Sequence, residues 1–220
     1  MSSLYSRFTK SYSQAGQDVF VVALTKGKKG GTFLEIGSND PVTHNNSYLL
    51  ETEFDYRGVL VEYDPSFAAG YRRLRPNSSY VIGDAQTVNY RGLLDAHNFP
   101  EHIDYLQIDL DVNNRSTLNT LELLQRTVFD KYKFATVTFE HDIYTGNHFN
   151  TREISRRIFA ARGYVLLFPD VSVFYEGRDC VFEDWYVHPD LVDPVLIQTL
   201  QRSQSMNHQA IQQLLLQQTD

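Results

Sequence analysis

Two short stretches of this sequence concentrate side chains that can move protons or hold cations. One is Gln107-Ile108-Asp109-Leu110-Asp111; the other is Phe139-Glu140-His141-Asp142. Alternate residues of an extended chain face the same way, so Asp109 and Asp111 can face one site together. The five groups Asp109, Asp111, Glu140, His141 and Asp142 are mostly hard oxygen donors plus one imidazole. Such a set suits Mg²⁺ or Mn²⁺ with open positions for hydroxyl ligands better than a closed zinc site. It also supplies candidates for a general base, which a hydroxyl nucleophile needs at neutral pH unless a metal lowers its pKa.

Three further acidic stretches stand in similar settings, each at the end of a short β-branched or aromatic run. They are Glu35-Ile36-Gly37-Ser38-Asn39-Asp40-Pro41, Glu62-Tyr63-Asp64-Pro65 and Gly83-Asp84-Ala85. The runs themselves predict strands at Thr32–Ile36, Val59–Glu62, Tyr80–Ile82, Ile103–Ile108, Phe134–Phe139, Tyr164–Phe168 and Phe182–Val187. Helical patterns alternate with them, at about Asp18–Lys26, Ser47–Phe54, Pro65–Leu74, Thr117–Val128 and Thr151–Arg162. Ser116 and Thr117 are placed to cap the fourth of these, and Arg162-Gly163 reads as the basic last turn and C-cap of the fifth. Near-continuous apolar strands joined by helices imply an α/β, Rossmann-like, seven-stranded and mostly parallel sheet with helices on both faces. In such a sheet ligands bind beyond the carboxyl ends of the strands, where the strand order reverses. Successive strand ends carrying carboxylates therefore predict one site.

The choice of ligand follows from charge. A dinucleotide needs a glycine-rich turn for its pyrophosphate, but the first turn here has one glycine, Gly37, flanked by Glu35 and Asp40. S-adenosylmethionine has no phosphate and carries a sulfonium and an ammonium, so an acidic rim suits it. Glu62, ending the second strand, is placed to accept the ribose hydroxyls. Asp84 can accept from the adenine amino group, with Ala85 leaving room for the ring.

The strings Thr32-Phe33-Leu34-Glu35-Ile36-Gly37-Ser38-Asn39-Asp40, Gly58-Val59-Leu60-Val61-Glu62-Tyr63-Asp64-Pro65 and Gly83-Asp84-Ala85 resemble the first three motifs of class I S-adenosylmethionine-dependent methyltransferases. The likeness is strongest to the FkbM-type group, associated with O-methylation of glycans and polyketides, and it covers about residues 13–188. It implies the strand order 3-2-1-4-5-7-6 with the last strand antiparallel. It also implies cofactor contacts from Glu35, Gly37, Ser38, Asn39, Glu62, Tyr63, Asp84, Ala85 and Asp109, and from Gln14 and Gln17 in the opening Ser13-Gln14-Ala15-Gly16-Gln17-Asp18. Some sugar O-methyltransferases of this fold hold a divalent metal. By similarity Asp109, Glu140 and Asp142 are the expected ligands here, with His141 or Asp111, or Asp109 itself, handling the acceptor's proton. The first turn departs from the family in lacking a second glycine. The expected partner is a carbohydrate acceptor, faced by the aromatic and polar stretches Tyr144–Asn150 and Tyr175–Arg178, in a chain that works beside or is fused to glycosyltransferase domains. His188 reads as structural.

Bulk properties narrow the alternatives. With 42% hydrophobic and 21% charged residues the chain has the composition of a folded domain. A formal charge of −7 disfavours nucleic acid as a partner. A lone cysteine, Cys180, points to a reducing, cytoplasmic setting, and neither a membrane span nor a leader core is visible, the latter over Met1–Lys10. The domain division expected is a helical lead-in at 1–30, a core at 31–190 and a helical tail at 191–220, rich in glutamine, read as a helix docked on the domain in preference to a partner-binding helix or a linker of a longer polypeptide. The rival enzyme reading, an NAD-dependent sugar oxidoreductase or epimerase, lacks both the glycine-rich turn and a Tyr-x-x-x-Lys pair. A nucleic-acid amino-methyltransferase typically has an Asn/Asp-Pro-Pro-aromatic turn after the fourth strand, where this chain reads Asp109-Leu110-Asp111-Val112, and a non-catalytic scaffold domain is the third alternative.

Overall fold

The computed structural model describes residues 10–217. Seven strands form one sheet in the order β3-β2-β1-β4-β5-β7-β6. They are β1 (Thr32–Ile36), β2 (Arg57–Glu62), β3 (Ser78–Ile82), β4 (His102–Ile108), β5 (Lys133–Glu140), β6 (Val165–Tyr175) and β7 (Arg178–Val187). The first five run parallel, and β7 is antiparallel to both β5 and β6. The central strands are sealed on both faces: every residue of β1 is buried, as a parallel sheet covered by helices requires.

Two apolar clusters mark the two faces. On one lie α1 (Gln17–Leu24), α2 (Tyr48–Phe54), α7 (Pro194–Leu200) and α8 (His208–Gln217), through Val19 to Leu24, Leu49, Ile197, Ile211 and Leu215; Tyr71 of α3 (Ala68–Leu74) joins them. On the other lie α4 (Tyr90–Ala96), α5 (Ser116–Thr127) and α6 (Thr151–Ala161), through Leu94, Leu121 and Phe159. Lead-in and tail thus share the core of the domain between them. Gln218 and the stretch before Lys10 lie outside the described residues.

Several local expectations are corrected. The strand expected at Tyr164–Phe168 continues to Tyr175, because Pro169-Asp170, which reads as a stop, is absorbed as an irregularity with Asp170 at φ 54°. Glu176 and Gly177, both at positive φ, then close a two-residue hairpin into β7, which begins four residues earlier than its apolar run. Helix α4 has too few apolar residues to show periodicity; Asn89 caps it by accepting from the Gly92 amide (3.0 Å). Helix α5 lacks the expected hydroxyl cap. Arg115 at φ 69° precedes it, the Ser116 amide donates to Asn114 (2.9 Å), and the Thr117 hydroxyl donates to the Leu110 carbonyl (2.8 Å). Residues 65–67 form a separate 3-10 turn ahead of α3.

Candidate active site

The strand order reverses between β1 and β4, and there the chain leaves room for only one residue type. Gly37 has φ 84°, and a Cβ at that position would lie 1.7 Å from the Asp109 carbonyl oxygen. A side chain would therefore force the two strand ends apart as well as strain the backbone. Around this point three clefts run into one another.

The first cleft, ≈ 380 Å³, lies over the ends of β2 and β3 and is walled by Glu62, Tyr63, Asp84, Ala85, Leu110 and Asp111. The second, ≈ 720 Å³, shares Glu62, Leu110 and Asp111 with it and adds Gly37, Asn39, Asp109, Glu140 and Gln14. The third, ≈ 390 Å³, shares Gln14 and Glu140 with the second and continues past Asp142 and Tyr144 to the β6–β7 hairpin. Each has the size of a small-molecule site.

Carboxylates organise the cofactor side. Both oxygens of Glu62 are anchored, Oε2 accepting from the Asn39 amide and Oε1 from the Asp64 amide, each at 2.8 Å. Asp40 Oδ1 accepts from the Val42 and Thr43 amides (2.9 and 2.8 Å). Asp84 Oδ1 accepts from the Gln86 amide (2.9 Å), and Asp111 Oδ1 from the Asn113 amide (2.9 Å). Backbone N–H groups that cradle phosphate in a nucleotide-binding turn are thus spent on carboxylates here, and what faces the cleft is acceptor oxygen.

The acidic cluster lies deeper. Glu140 is within hydrogen-bonding reach of both Asp109 and Asp142. Burial, then repulsion from Asp109, holds the Glu140 carboxyl well above its ordinary value. Burial raises Asp109 too, and Asp142 is pushed up to about 6 by burial and then by Asp109. Below them Glu183 of β7, opposite Glu140 in register, is pushed up to about 8 by burial and by Asp109. The three upper carboxyls form a chain through Glu140. The group whose ligand atoms all converge within 4.8 Å, among the described residues, is instead His141, Asp170 and Asp184. Arg156 chelates Asp184 through two 2.7 Å bonds, and Arg152 donates to Asp170 (3.0 Å). Two guanidinium groups therefore already neutralise that set, which does not fit a cation.

Four expected site residues point elsewhere. His141 is buried on the opposite side of the chain from Glu140 and Asp142, its Nε2 3.5 Å from Asp184, and it lines none of the three clefts. The strand ends at Glu140; the amides of His141 and Asp142 both donate to the Phe182 carbonyl (2.7 and 3.0 Å), and Asp142, at φ 44°, turns back to the cleft. Gln17 is buried and donates to Glu183 (2.9 Å). Glu35 is buried beneath the first turn, where it accepts from the Asn46 amide (2.9 Å) and the Ser47 hydroxyl; burial pushes it up to about 7. Ser38 is buried against Tyr71 (2.9 Å). These three hold the walls of the cleft rather than line it. Gln14, Gly37, Asn39, Glu62, Tyr63, Asp84, Ala85, Asp109, Asp111, Glu140 and Asp142 do line it. His188, buried edge-on to Tyr164 (5.0 Å between centroids), lines none of the three clefts.

Several lining residues escaped the sequence reading: Gln86, Asn114 and Ser116 in the first cleft, Thr43, His44 and Phe67 in the second, and a group in the third. Phe174 and Cys180 lie on the extended parts of β6 and β7, and His208 opens α8; all line the third cleft. The Glu176-Gly177 dipeptide was the available sign of the hairpin. Nothing local marks His208.

No helix among the described residues is long and apolar enough to cross a membrane. No family model matches the chain, and no curated protein matches it. Among solved structures it is similar to a TehB-like SAM-dependent methyltransferase from Corynebacterium glutamicum ATCC 13032 Kitasato, at 12% identity and TM-score 0.51 over 80% of this chain and 89% of that one. It is similar also to precorrin-6y C5,15-methyltransferase from Geobacter metallireducens GS-15, at 14% identity and TM-score 0.53 over 86% of this chain and 94% of that one. At such identities the likeness is one of architecture: this chain has the seven-stranded, Rossmann-like fold of the class I methyltransferases.

Proposed function

We propose that the protein transfers the methyl group of S-adenosylmethionine to a hydroxyl of a carbohydrate, as the FkbM-type resemblance implies. The observation that carries the cofactor half is the anchored carboxylate lining of the first two clefts, with their amides already taken. A phosphate-bearing dinucleotide meets repulsion there, and a cationic, phosphate-free nucleoside meets acceptors. Glu62 accepts from the ribose hydroxyls, Asp84 from the adenine amino group with Ala85 beneath the ring, and Gly37, Asn39 and Gln14 approach the methionine end. A polyanionic acceptor is disfavoured by the same charge, which argues for a neutral, hydroxyl-rich one.

Methyl transfer is an in-line displacement. The acceptor oxygen attacks the methyl carbon, the carbon–sulfur bond breaks toward sulfur, and the hydroxyl proton must be taken up. Asp109, Glu140 and Asp142 surround the junction of the cofactor and acceptor clefts and are raised by one another and by burial, with no guanidinium or ammonium among the groups that shift Asp109 or Glu140. That uncompensated oxygen set has the donor chemistry of a Mg²⁺ or Mn²⁺ site, its carboxyls meeting pairwise through Glu140, and these three residues would hold the ion. When bound, such an ion lowers the pKa of a coordinated hydroxyl.

A thermal-shift titration with S-adenosylhomocysteine, with NAD⁺ in parallel, tests the cofactor. At about 100 times its dissociation constant a ligand adds ~2.7 kcal/mol, a rise of roughly 5–11 °C for a chain of this size. A shift with S-adenosylhomocysteine alone is expected. A shift with NAD⁺ alone makes the protein an oxidoreductase or epimerase, and silence from both makes it a scaffold. Turnover that survives EDTA removes the metal.

A further inference from the structure

The third cleft has a wall that no strand-end motif supplies. Its floor is Glu140 and Asp142, and one side is the β6–β7 hairpin with Phe174 and Tyr175, 69% and 59% exposed. The other side is Gln14 together with His208, the first residue of α8. This helix is fixed in place. Ile211 and Leu215 are fully buried in the core, and Ser172 of β6 donates to the Met206 carbonyl (3.0 Å) just ahead of the helix. Gln212 donates to the Ala15 carbonyl (3.1 Å), so close to the opening segment that a Cβ on Gly16 would lie 2.1 Å from its amide nitrogen. The opening segment that carries Gln14 and the helix that carries His208 are thus braced against each other.

Resting on the methyltransferase reading, we propose that α8 completes the acceptor site. The imidazole of His208 receives the hydrogen of the acceptor hydroxyl, and the exposed rings of Phe174 and Tyr175 stack against the remainder of a sugar. Three features support this. His208 is the imidazole of the cleft, His141 being turned away. The Nδ1 edge of the ring faces Gln212 Nε2 (3.3 Å) and the Ala15 carbonyl, which leaves Nε2 as the nitrogen to meet the acceptor. The ring lines the same cleft as Glu140 and Asp142, and through Glu140 and Gln14 that cleft opens into the cofactor cleft. Burial keeps the imidazole below its ordinary value, so it is neutral and ready to accept near pH 7. The other titratable groups facing it are Tyr144, Tyr175 and Cys180; no lysine or arginine lines the cleft.

The step balances without a further reactant. The hydroxyl proton passes to the imidazole nitrogen while the oxygen lone pair forms the O–CH₃ bond. The C–S bonding pair stays on sulfur, giving S-adenosylhomocysteine, and the imidazolium then loses its proton to water.

The test measures S-adenosylhomocysteine release with a panel of methyl glycosides of hexoses, 6-deoxyhexoses and pentoses as acceptors. His208→Ala and His208→Gln should each lower kcat by ~100-fold or more, while the thermal shift with S-adenosylhomocysteine stays as in the wild type. Gln209→Ala, an exposed neighbour, should leave both unchanged. Phe174→Ala should raise KM for the glycoside with little change in kcat. If both His208 variants keep kcat within about threefold of wild type, the assignment is overturned although the cofactor reading stands. If the wild type itself shows no shift with S-adenosylhomocysteine, the reading beneath it has failed. Cofactor binding without transfer to any glycoside overturns the acceptor assignment.

Discussion

Arg75 lies wholly inside the protein, and replacing it by methionine reports how firmly the first cofactor loop is held. Its side chain is 0% exposed and that of its partner Glu51 is 1% exposed. Arg75 Nε donates to Glu51 (2.7 Å), Nη1 to Asn45 Oδ1 (2.8 Å) and the Pro41 carbonyl (3.3 Å), and Nη2 to the Ser47 hydroxyl (2.6 Å). One guanidinium therefore ties the end of α3 to the loop that runs from Asn39 to α2. Removing one partner of a buried ion pair typically destabilises by 3–5 kcal/mol, through the charge left behind. Here Glu51 keeps two donors, the Asn77 amide (2.8 Å) and the Ser78 hydroxyl (2.5 Å), and Asn45 keeps the Ser47 amide (3.2 Å). The expected loss is accordingly at the low end, ~3 kcal/mol, or roughly 6–12 °C in Tm. Urea denaturation of the wild type, Arg75→Met, Glu51→Gln and the double variant reads it. Because removing both charges leaves neither stranded, the double variant should be at least ~1 kcal/mol more stable than the sum of the singles. A loss below ~1 kcal/mol for Arg75→Met would refute the reasoning, as would strict additivity in the cycle.

Three other outcomes are expected. Glu62→Gln presents an amide N–H where the Asn39 or Asp64 amide now donates, and should weaken S-adenosylhomocysteine binding by about 10–100-fold in calorimetry, the loss of one or two charge-assisted bonds; unchanged affinity removes Glu62 from the ribose site. Gly37→Ala, with a Cβ 1.7 Å from the Asp109 carbonyl oxygen, should lower Tm and abolish the S-adenosylhomocysteine shift; a variant that keeps both shows that the strand ends can part. The raised carboxyls bind protons in the native state at pH values where the unfolded chain has released them, so stability falls as pH rises between about 5 and 8. Glu35, at about 7, and Glu183, at about 8, contribute most visibly within that window. Tm should be higher at pH 5 than at pH 8, and Glu183→Gln should flatten the slope; a slope unaltered by that variant places the titration elsewhere.

The central sheet was legible in the sequence because its strands are buried on both faces. Leu34, Val59, Leu106 and Val137 belong to short apolar runs whose burial pattern and spacing are local properties. The strand-end carboxylates Glu62, Asp84, Asp109 and Glu140 were legible for the same reason: in a parallel sheet the residue after the strand is at the ligand edge whatever the rest of the chain does. The seven-stranded order agrees with the one the family resemblance implied, down to the antiparallel β7.

Direction and long-range packing were not local properties. His141 lies between Glu140 and Asp142 in sequence, yet the turn that follows β5 places it against Asp184, which Arg156 also holds, a partner fixed only when α6 and β7 dock. Glu35 and Gln17 are polar groups at plausible positions, but each is consumed by a buried partner, Ser47 or Glu183, that only tertiary packing brings near. The length of β6 depended on whether Pro169-Asp170 would end a strand or bulge within it, which its pairing with β7 decided. His208 reaches the acceptor cleft because Ile211 and Leu215 bury into a core assembled from both ends of the chain. The sequence by itself determined the sheet and the acidic edge, since these rest on period and burial; the tertiary structure decided which polar groups face the cleft, since that depends on the partners packed behind them.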